Sequence, residues 1–382
     1  AFHDVDSLNS FIVAAGSYGT NNQPLLVSYN TSGSLQNAVT TSSVSTDNGY
    51  THVVIAEGFI FAVSTNSSSG RIYLDKYDGG LNFLERSTYN TSNPLAFGLA
   101  AYEYNGSTHL AIPIAYDDAT YEYNASMVSF DISGSSVAYV SNWGWHTITD
   151  DQFAIDVNSR DGDIILTKIY DYTNNPYIFY QRWKNFNPTA GSTNTISSQV
   201  DITERRAELS SIESWNNHFF NSTAQPGGFD GSSDLAAYMT TTLRFSFITN
   251  IGQIGVSEED EYYASSIFLN DENIEQVIFG DGASGSNFPP AIHNFIGTGL
   301  QNKRIFTEFG KDGYFIRGKR TTNDSYVAVG MLYDGNGTKD DAILYISNAS
   351  NKTSGLLEFS DIVSDQFPQT EQIFTGKLFN AK

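Results

Sequence analysis

A set of short apolar segments that recurs roughly every fifty residues constrains this chain more than any single motif in it. The clearest copy runs from Ser107 to Ser141 as STHLAIPIAYD, NASMVSFDIS and SSVAYVS, broken at Asp117-Asp118 and at Gly134. Each segment is rich in β-branched and aromatic residues and is bounded by Asn, Asp, Gly or Ser, which is how strands joined by tight turns are written. Ser325 to Ser360 repeats the order with SYVAVGMLYD, DDAILYIS and SGLLEFS. Tyr29-Asn30, Tyr77-Asp78 and Phe130-Asp131 fall at matching places, 48 and 53 residues apart.

A sheet of four such strands cannot bury both faces alone, so units of this length must stack on their neighbours, and the period reads as a β-propeller. The expected fold is all-β, a single domain over residues 1–382 built of four-stranded antiparallel blades. Seven blades are expected, at 9–42 plus 371–379, 51–87, 96–141, 152–201, 208–248, 251–299 and 313–360. Six is the alternative, should the irregular middle hold one blade and a helical insertion. There Asp201-Ile202-Thr203-Glu204 has the form of a helix cap, so Ile202 to Trp215 is expected as a short helix or an irregular strand. The C-terminal EQIFTGKLF, Glu371 to Phe379, is expected to supply the inner strand of the first blade and so close the ring without exposed edges.

Tyr29 to Leu35 and Tyr73 to Phe83 resemble the SBBP propeller repeats of microbial extracellular proteins in their order of strand, Asp or Asn, Gly, strand. The resemblance implies a propeller and a surface location, and it implies no particular chemistry.

Composition limits the partners. The 40% apolar content of 382 residues is ample for a core, and no stretch approaches the length and apolarity of a membrane-spanning helix, so no membrane insertion is expected. The 42 acidic residues against 20 Lys and Arg give a charge of -22, which argues against nucleic acid or anionic lipid held on a basic face. With no cysteine, disulfides, thiolate zinc sites and cysteine nucleophiles are excluded. The chain starts at Ala1 without a basic-apolar leader, so any signal peptide is expected to have been removed or omitted.

Asn-x-Ser/Thr acceptors begin at Asn30, Asn66, Asn90, Asn105, Asn124, Asn221, Asn323, Asn336, Asn348 and Asn351. Asn30, Asn66, Asn105, Asn124, Asn336 and Asn348 fall at expected strand ends or turns, where a glycan projects into water. A secreted or cell-surface location is therefore expected.

Local patterns add candidates. Ser45 to His52, STDNGYTH, resembles the Asp box of sialidase-like propellers, with His52 where that family has an aromatic residue. It falls between units, and its expected role is a turn. Asp334 to Asp341, DGNGTKDD, resembles the calcium-binding hairpins of integrin-type propellers. That makes Asp334, Asn336 and Asp340 the candidate ligands and calcium the candidate cofactor, the other reading being an ordinary polar hairpin. No other cofactor is expected. Trp143, Trp145 and His146 in NWGWHT read either as a sugar-stacking platform at a blade edge or as packing between blades.

Catalytic motifs are missing: the sequence has no GxSxG, Walker loop or HExxH, and its six histidines are scattered. The preferred function is a non-catalytic secreted or cell-surface glycoprotein, a propeller building block of a surface layer, filament or adhesin. Its expected partners are copies of itself, other surface proteins and glycans. The alternatives are a propeller-fold carbohydrate-active enzyme, hydrolase or lyase, whose paired carboxylates would be set by space and not by spacing, and a ligand- or protein-binding module.

Overall fold

The computed structural model describes residues 1–19, 21–41, 44–116, 124–144, 151–160, 163–172, 175–183, 185–190, 195–201, 209–215, 218–224, 238–244, 247–254, 262–270, 275–281, 289–296, 299–322, 325–333, 339–347, 355–358 and 377–380. These residues form seven antiparallel sheets, each made of consecutive strands. The first holds β1 (Phe2–Leu8), β2 (Phe11–Tyr18), β3 (Gln23–Asn30) and β4 (Leu35–Thr40); the second holds β5 (His52–Ala56), β6 (Phe59–Asn66), β7 (Arg71–Tyr77) and β8 (Phe83–Asn90). The third comprises β9 (Leu95–Ala96), β10 (Ala100–Tyr104), β11 (Ser107–Tyr116), β12 (Asn124–Asp131) and β13 (Ala138–Gly144). The fourth comprises β14 (Asp151–Arg160), β15 (Asp163–Tyr172), β16 (Asn175–Trp183) and β17 (Thr195–Asp201). In the fifth are β18 (Leu209–Trp215), β19 (His218–Ala224), β20 (Tyr238–Arg244) and β21 (Phe247–Ile254), and in the sixth β22 (Tyr262–Asn270), β23 (Glu275–Asp281), β24 (Pro290–Ile296) and β25 (Gly299–Ile305). The seventh runs through β26 (Gly313–Thr322), β27 (Ser325–Tyr333), β28 (Lys339–Ile346), β29 (Gly355–Glu358) and β30 (Lys377–Asn380).

The third sheet has five strands only because its first strand is in two pieces, β9 and β10 both pairing with β11. Pro113 of β11 has no N–H to give, and beside it Phe97 donates its own N–H to the Pro113 carbonyl at 3.0 Å.

Among the described side chains, the first and second sheets are apolar on both faces because each is pressed between two others. Val13, Ala15 and Leu26 of the first sheet share a core with Val53, Ile60 and Ala62 of the second. On the opposite face of the second sheet, Phe61, Val63 and Leu74 meet Ile112, Val128 and Phe130 of the third. The third and fourth sheets meet through Met127, Ile164 and Phe186, and the sixth and seventh through Ile292, Phe306 and Phe315. Phe2, Ile12 and Val27 of the first sheet pack on Val327, Val329 and Leu344 of the seventh, so the two ends of the series are direct neighbours. This is the arrangement expected of a β-propeller.

Two expectations need correction. Lys377–Asn380 does not complete the first sheet; it pairs with β29 on the outside of the seventh. The first sheet instead begins with Phe2–Leu8, a stretch whose Asp4 and Asp6 make it read as polar although Phe2 and Val5 are buried. The segment Leu209–Trp215, expected as a helix or an irregular strand, is a regular strand paired along its whole length with β19; residues 202–208 lie outside the described residues.

The aromatic-Asx pairs mark one recurring turn. Asn30 Oδ1 accepts the Ser32 and Ser34 N–H groups at 3.1 and 2.8 Å, and Asp78 Oδ1 accepts those of Gly80 and Asn82 at 2.9 and 2.8 Å. Asp131 accepts the Ser133 N–H at 2.9 Å, and Asn187, absent from the sequence reading, accepts that of Thr189 at 2.9 Å. Each closes the turn between the third and fourth strands of its sheet. The preceding Tyr29, Tyr77, Phe130 and Phe186 are all buried, which ties the turn to the core below it.

Candidate functional site: charged residues of the inner strands

The first strands of successive sheets lie side by side, with β1 between β26 and β5. On β1, Phe2 is opposite Gly16 and a bulge follows before Asp4; on β26, Phe315 is opposite Gly330 and a bulge follows before Arg317. This shared register makes Asp4 the counterpart of Arg317 and Asp6 the counterpart of Lys319. Equivalent positions on the two ends of the series thus carry opposite charges.

The carboxylates join three sheets. Asp4 accepts its neighbour Val5 N–H at 2.9 Å on Oδ1 and the Val53 N–H of β5 at 2.9 Å on Oδ2. Asp6 Oδ2 accepts the Ile55 N–H at 2.7 Å, while Lys319 Nζ lies 3.6 Å from Asp6 Oδ1. Val53 and Ile55 belong to the edge strand of the second sheet, so the carboxylates fill hydrogen bonds that its ladder leaves open. His52 completes the group: its Nε2–H donates to the Ala96 carbonyl at 3.2 Å, and Nδ1 lies 3.9 Å from Asp4 Oδ2. Burial holds the Asp4 pKa above the ordinary carboxylate range, opposed by Arg317, by the Val53 and Val5 N–H groups and by Lys319. The oxygens of Asp4 and Asp6 are taken up by backbone amides of β1 and β5 and, at Asp6, by the Lys319 ammonium of β26, an arrangement that fixes strand position.

A second buried polar group lies between the first and second sheets. Asp75 is fully buried, bound by Arg86 through Nε at 2.6 Å and Nη2 at 2.7 Å, and it accepts the Tyr50 hydroxyl. Because that proton is committed, Tyr77 donates its own hydroxyl to Tyr50 Oη at 2.7 Å. Burial, then the neighbouring Asp75, lifts the Tyr50 pKa well above its ordinary value. Tyr50 comes from the Asp-box-like stretch, which lies between β4 and β5 as its position in the sequence implied. Asp47 there accepts the Ser67 N–H at 2.8 Å, and Thr46 Oγ1 donates to the Asn22 carbonyl at 2.8 Å, stitching the connector to hairpins of two sheets.

The nominated residues are dispersed. Asn90 and Asn105 are exposed, at the end of β8 and in the β10–β11 hairpin, and Asn30 is half-buried in its turn. Asn66 is buried, its Nδ2 donating to the Ser45 carbonyl at 2.7 Å and its Oδ1 accepting the Ser69 N–H at 2.7 Å, so a glycan there would have to leave from a buried nitrogen already bonded within the fold. Asn124 opens β12 and Asn221 lies within β19. Trp143 packs edge-on against Phe186 at 6.1 Å between the third and fourth sheets, the second of its two expected roles. Asp340 lies in β28. Asn323, Asn336, Asn348, Asn351, Asp334, Trp145 and His146 lie outside the described residues. Among the described residues no three metal-ligating side chains gather. The inner-strand charges were missed, although Phe2-x-Asp4-x-Asp6 and Phe315-x-Arg317-x-Lys319 share a spacing that could have revealed them.

No family model matches the chain, and no curated protein matches its sequence. Among solved structures it is similar to the polysaccharide lyase Uly1, with 10% identity, TM-score 0.52, and coverage of 91% of this chain and 90% of that one. It is also similar to Chaetomium thermophilum Sqt1 bound to the N-terminus of ribosomal protein L10, with 11% identity, TM-score 0.49, and coverage of 94% and 90%. A third is Trypanosoma rangeli sialidase, with 5% identity, TM-score 0.45, and coverage of 75% and 53%. At 10% identity the likeness to Uly1 concerns the fold alone, and the series of consecutive antiparallel sheets is that of a β-propeller.

Proposed function

We propose that this propeller is a non-catalytic secreted or cell-surface glycoprotein and a building block of an extracellular assembly. The observation that carries this reading is the commitment of Asp4 and Asp6 to the amides of β5 and the ammonium of β26. In a propeller the inner strands are where converging acids would do chemistry. Asp4 and Asp6 instead hold sheets together. The exposed acceptors Asn90 and Asn105 support the glycoprotein part, since each lies at a strand end or hairpin clear of the core.

Two measurements on the native protein test the reading. Intact mass before and after glycosidase treatment should fall by whole glycans. Imaging of native particles should show propellers repeating along a thread or lattice through two different surface patches. An unmodified mass together with isolated single particles overturns the proposal.

A further inference from the structure

The last strand of the third sheet is irregular: Ser129 pairs with Ser141, yet Phe130 pairs with Tyr139, so Val140 is an extra residue in β13. Ser141 and Trp143 face the fourth sheet, where Ser141 Oγ donates to the Pro188 carbonyl and Trp143 meets Phe186. Strict alternation would send Tyr139 the same way. The bulge turns it to the opposite face, the use for which such irregularities are kept near binding sites. There its ring stacks on Tyr89 of β8, 5.6 Å between centroids and 25° between planes, with Phe130 edge-on at 6.0 Å.

Tyr139 still keeps 50% of its surface in water. It is not required to fasten the two sheets, because Ser87 Oγ already donates to the Val137 carbonyl at 2.9 Å and Glu85 accepts the Val137 N–H at 3.0 Å. Beside the ring, the exposed Asn142 donates Nδ2 to the Tyr89 hydroxyl oxygen at 2.5 Å. Among the described residues, the Tyr89 O–H proton and Asn142 Oδ1 make no other hydrogen bond. The rim therefore offers a half-exposed aromatic face with one donor and one acceptor next to it.

We propose that Tyr139, Tyr89 and Asn142 form a binding platform for the pyranose ring of a neutral sugar. The C–H face of a pyranose covers an aromatic ring without losing hydrogen bonds, and its rim hydroxyls can then meet a donor and an acceptor at the ring's edge. A net charge of -22 selects neutral over acidic sugars. The platform does not depend on the chain being glycosylated or assembled.

The test is saturation-transfer NMR on the full chain with the methyl glycosides of glucose, galactose, mannose and N-acetylglucosamine, each at about 10 mM to detect weak binding. At least one should show saturation concentrated on the C–H protons of one ring face. Tyr139→Ala should reduce that signal roughly ten-fold, and Tyr139→Trp should keep it. Asn142→Ala should weaken binding roughly five-fold. Melting curves establish that each variant is folded, and Tyr139→Leu, which covers Tyr89 without a ring, replaces the alanine variant if that one does not fold. No saturation with any of the four sugars overturns the proposal, as does a signal unchanged when the Tyr139 ring is removed.

Discussion

Asp75 and Arg86 stand directly opposite one another on β7 and β8, and the guanidinium grips the carboxylate with two parallel bonds at 2.6 and 2.7 Å. Arg86 side-chain exposure is 18% and that of Asp75 is 0%, so the pair is nearly removed from water. Desolvating two charges costs several kcal/mol, which the fork geometry and the Tyr50 hydroxyl offset only while all members are present.

Removing one partner should therefore be far worse than removing both. Arg86→Met leaves a buried carboxylate without its cation and should cost about 3–5 kcal/mol, while Asp75→Leu combined with Arg86→Met should recover most of that. Tyr50→Phe should cost about 1.5–3 kcal/mol, the worth of one hydrogen bond to a charge. Urea denaturation of the three variants gives the comparison, and equal losses for the single and double changes would show that the pair is not the source of the cost.

Asp6 separates the two kinds of bond at the inner strands. Asp6→Ala leaves the Ile55 N–H without its acceptor and should cost about 1–3 kcal/mol. Lys319→Ala removes an ammonium whose side chain is 35% exposed and 3.6 Å from its partner, and should cost less than about 1 kcal/mol. Equilibrium unfolding at low and at about 1 M salt should show the Lys319 contribution shrinking and the Asp6 contribution persisting.

The recurring turns give a pH signature with a built-in control. Hydrogen bonds from Asn82 lower the Asp78 pKa and those from Ser133 lower that of Asp131. A carboxylate held below its unfolded value of 3.8 adds stability that is present above that value and is lost as pH falls through the folded pKa. Asp4 has the opposite sign: raised by burial, its contribution is present below 3.8 and is lost as pH rises through its folded value. On acidification from neutral pH, Asp4 should stabilise first, and Asp78 and Asp131 should destabilise below 3.8. Asp78→Asn should keep the turn, because Asn30 and Asn187 hold the same one, yet remove its share of the acid limb. Asp4→Asn should remove the gain above 3.8. Melting temperature against pH for the wild type and both variants reads each effect as a difference.

How far the sequence could be read follows from what kind of signal each element leaves. The strands and the Tyr29-Asn30, Tyr77-Asp78 and Phe130-Asp131 turns were legible because alternation and turn chemistry are local. Phe186-Asn187 is the same turn, hidden because Lys184 and Pro188 make its surroundings read as polar loop. Phe2–Leu8 escaped because Asp4 and Asp6 look like surface residues, and only the neighbouring strands supply their partners. The nomination of Trp143 as a sugar platform, where Tyr139 is the exposed ring of that strand, turns on the single extra residue Val140. A one-residue bulge reverses which face a side chain takes, and no period in the sequence announces it.

The bulges on the inner strands carry their own consequence. Gly16 and Gly330 occupy the same position in the first and seventh sheets, each opposite a buried phenylalanine immediately before the bulge. A Cβ added at Gly330 would lie 2.8 Å from Phe315 Cα and closer still to the Tyr314 carbonyl oxygen; at Gly16 it would meet Phe2 Cα at 2.8 Å and the Ala1 carbonyl oxygen. Both obstacles are backbone, which cannot rotate aside as a side chain can. Gly330→Ala should therefore cost about 2–3 kcal/mol, the upper range for overpacking, whereas Gly79→Ala, where the added atom meets nothing within 4 Å, should stay within about 0.5 kcal/mol. Because the displaced backbone of β26 carries Lys319 toward or away from Asp6, Gly330→Ala and Asp6→Ala should be non-additive by at least about 0.5 kcal/mol. Strict additivity in a double-mutant cycle would mean that the glycine serves only its own sheet, and that the first and seventh sheets are held together by their apolar core without help from the charges above it.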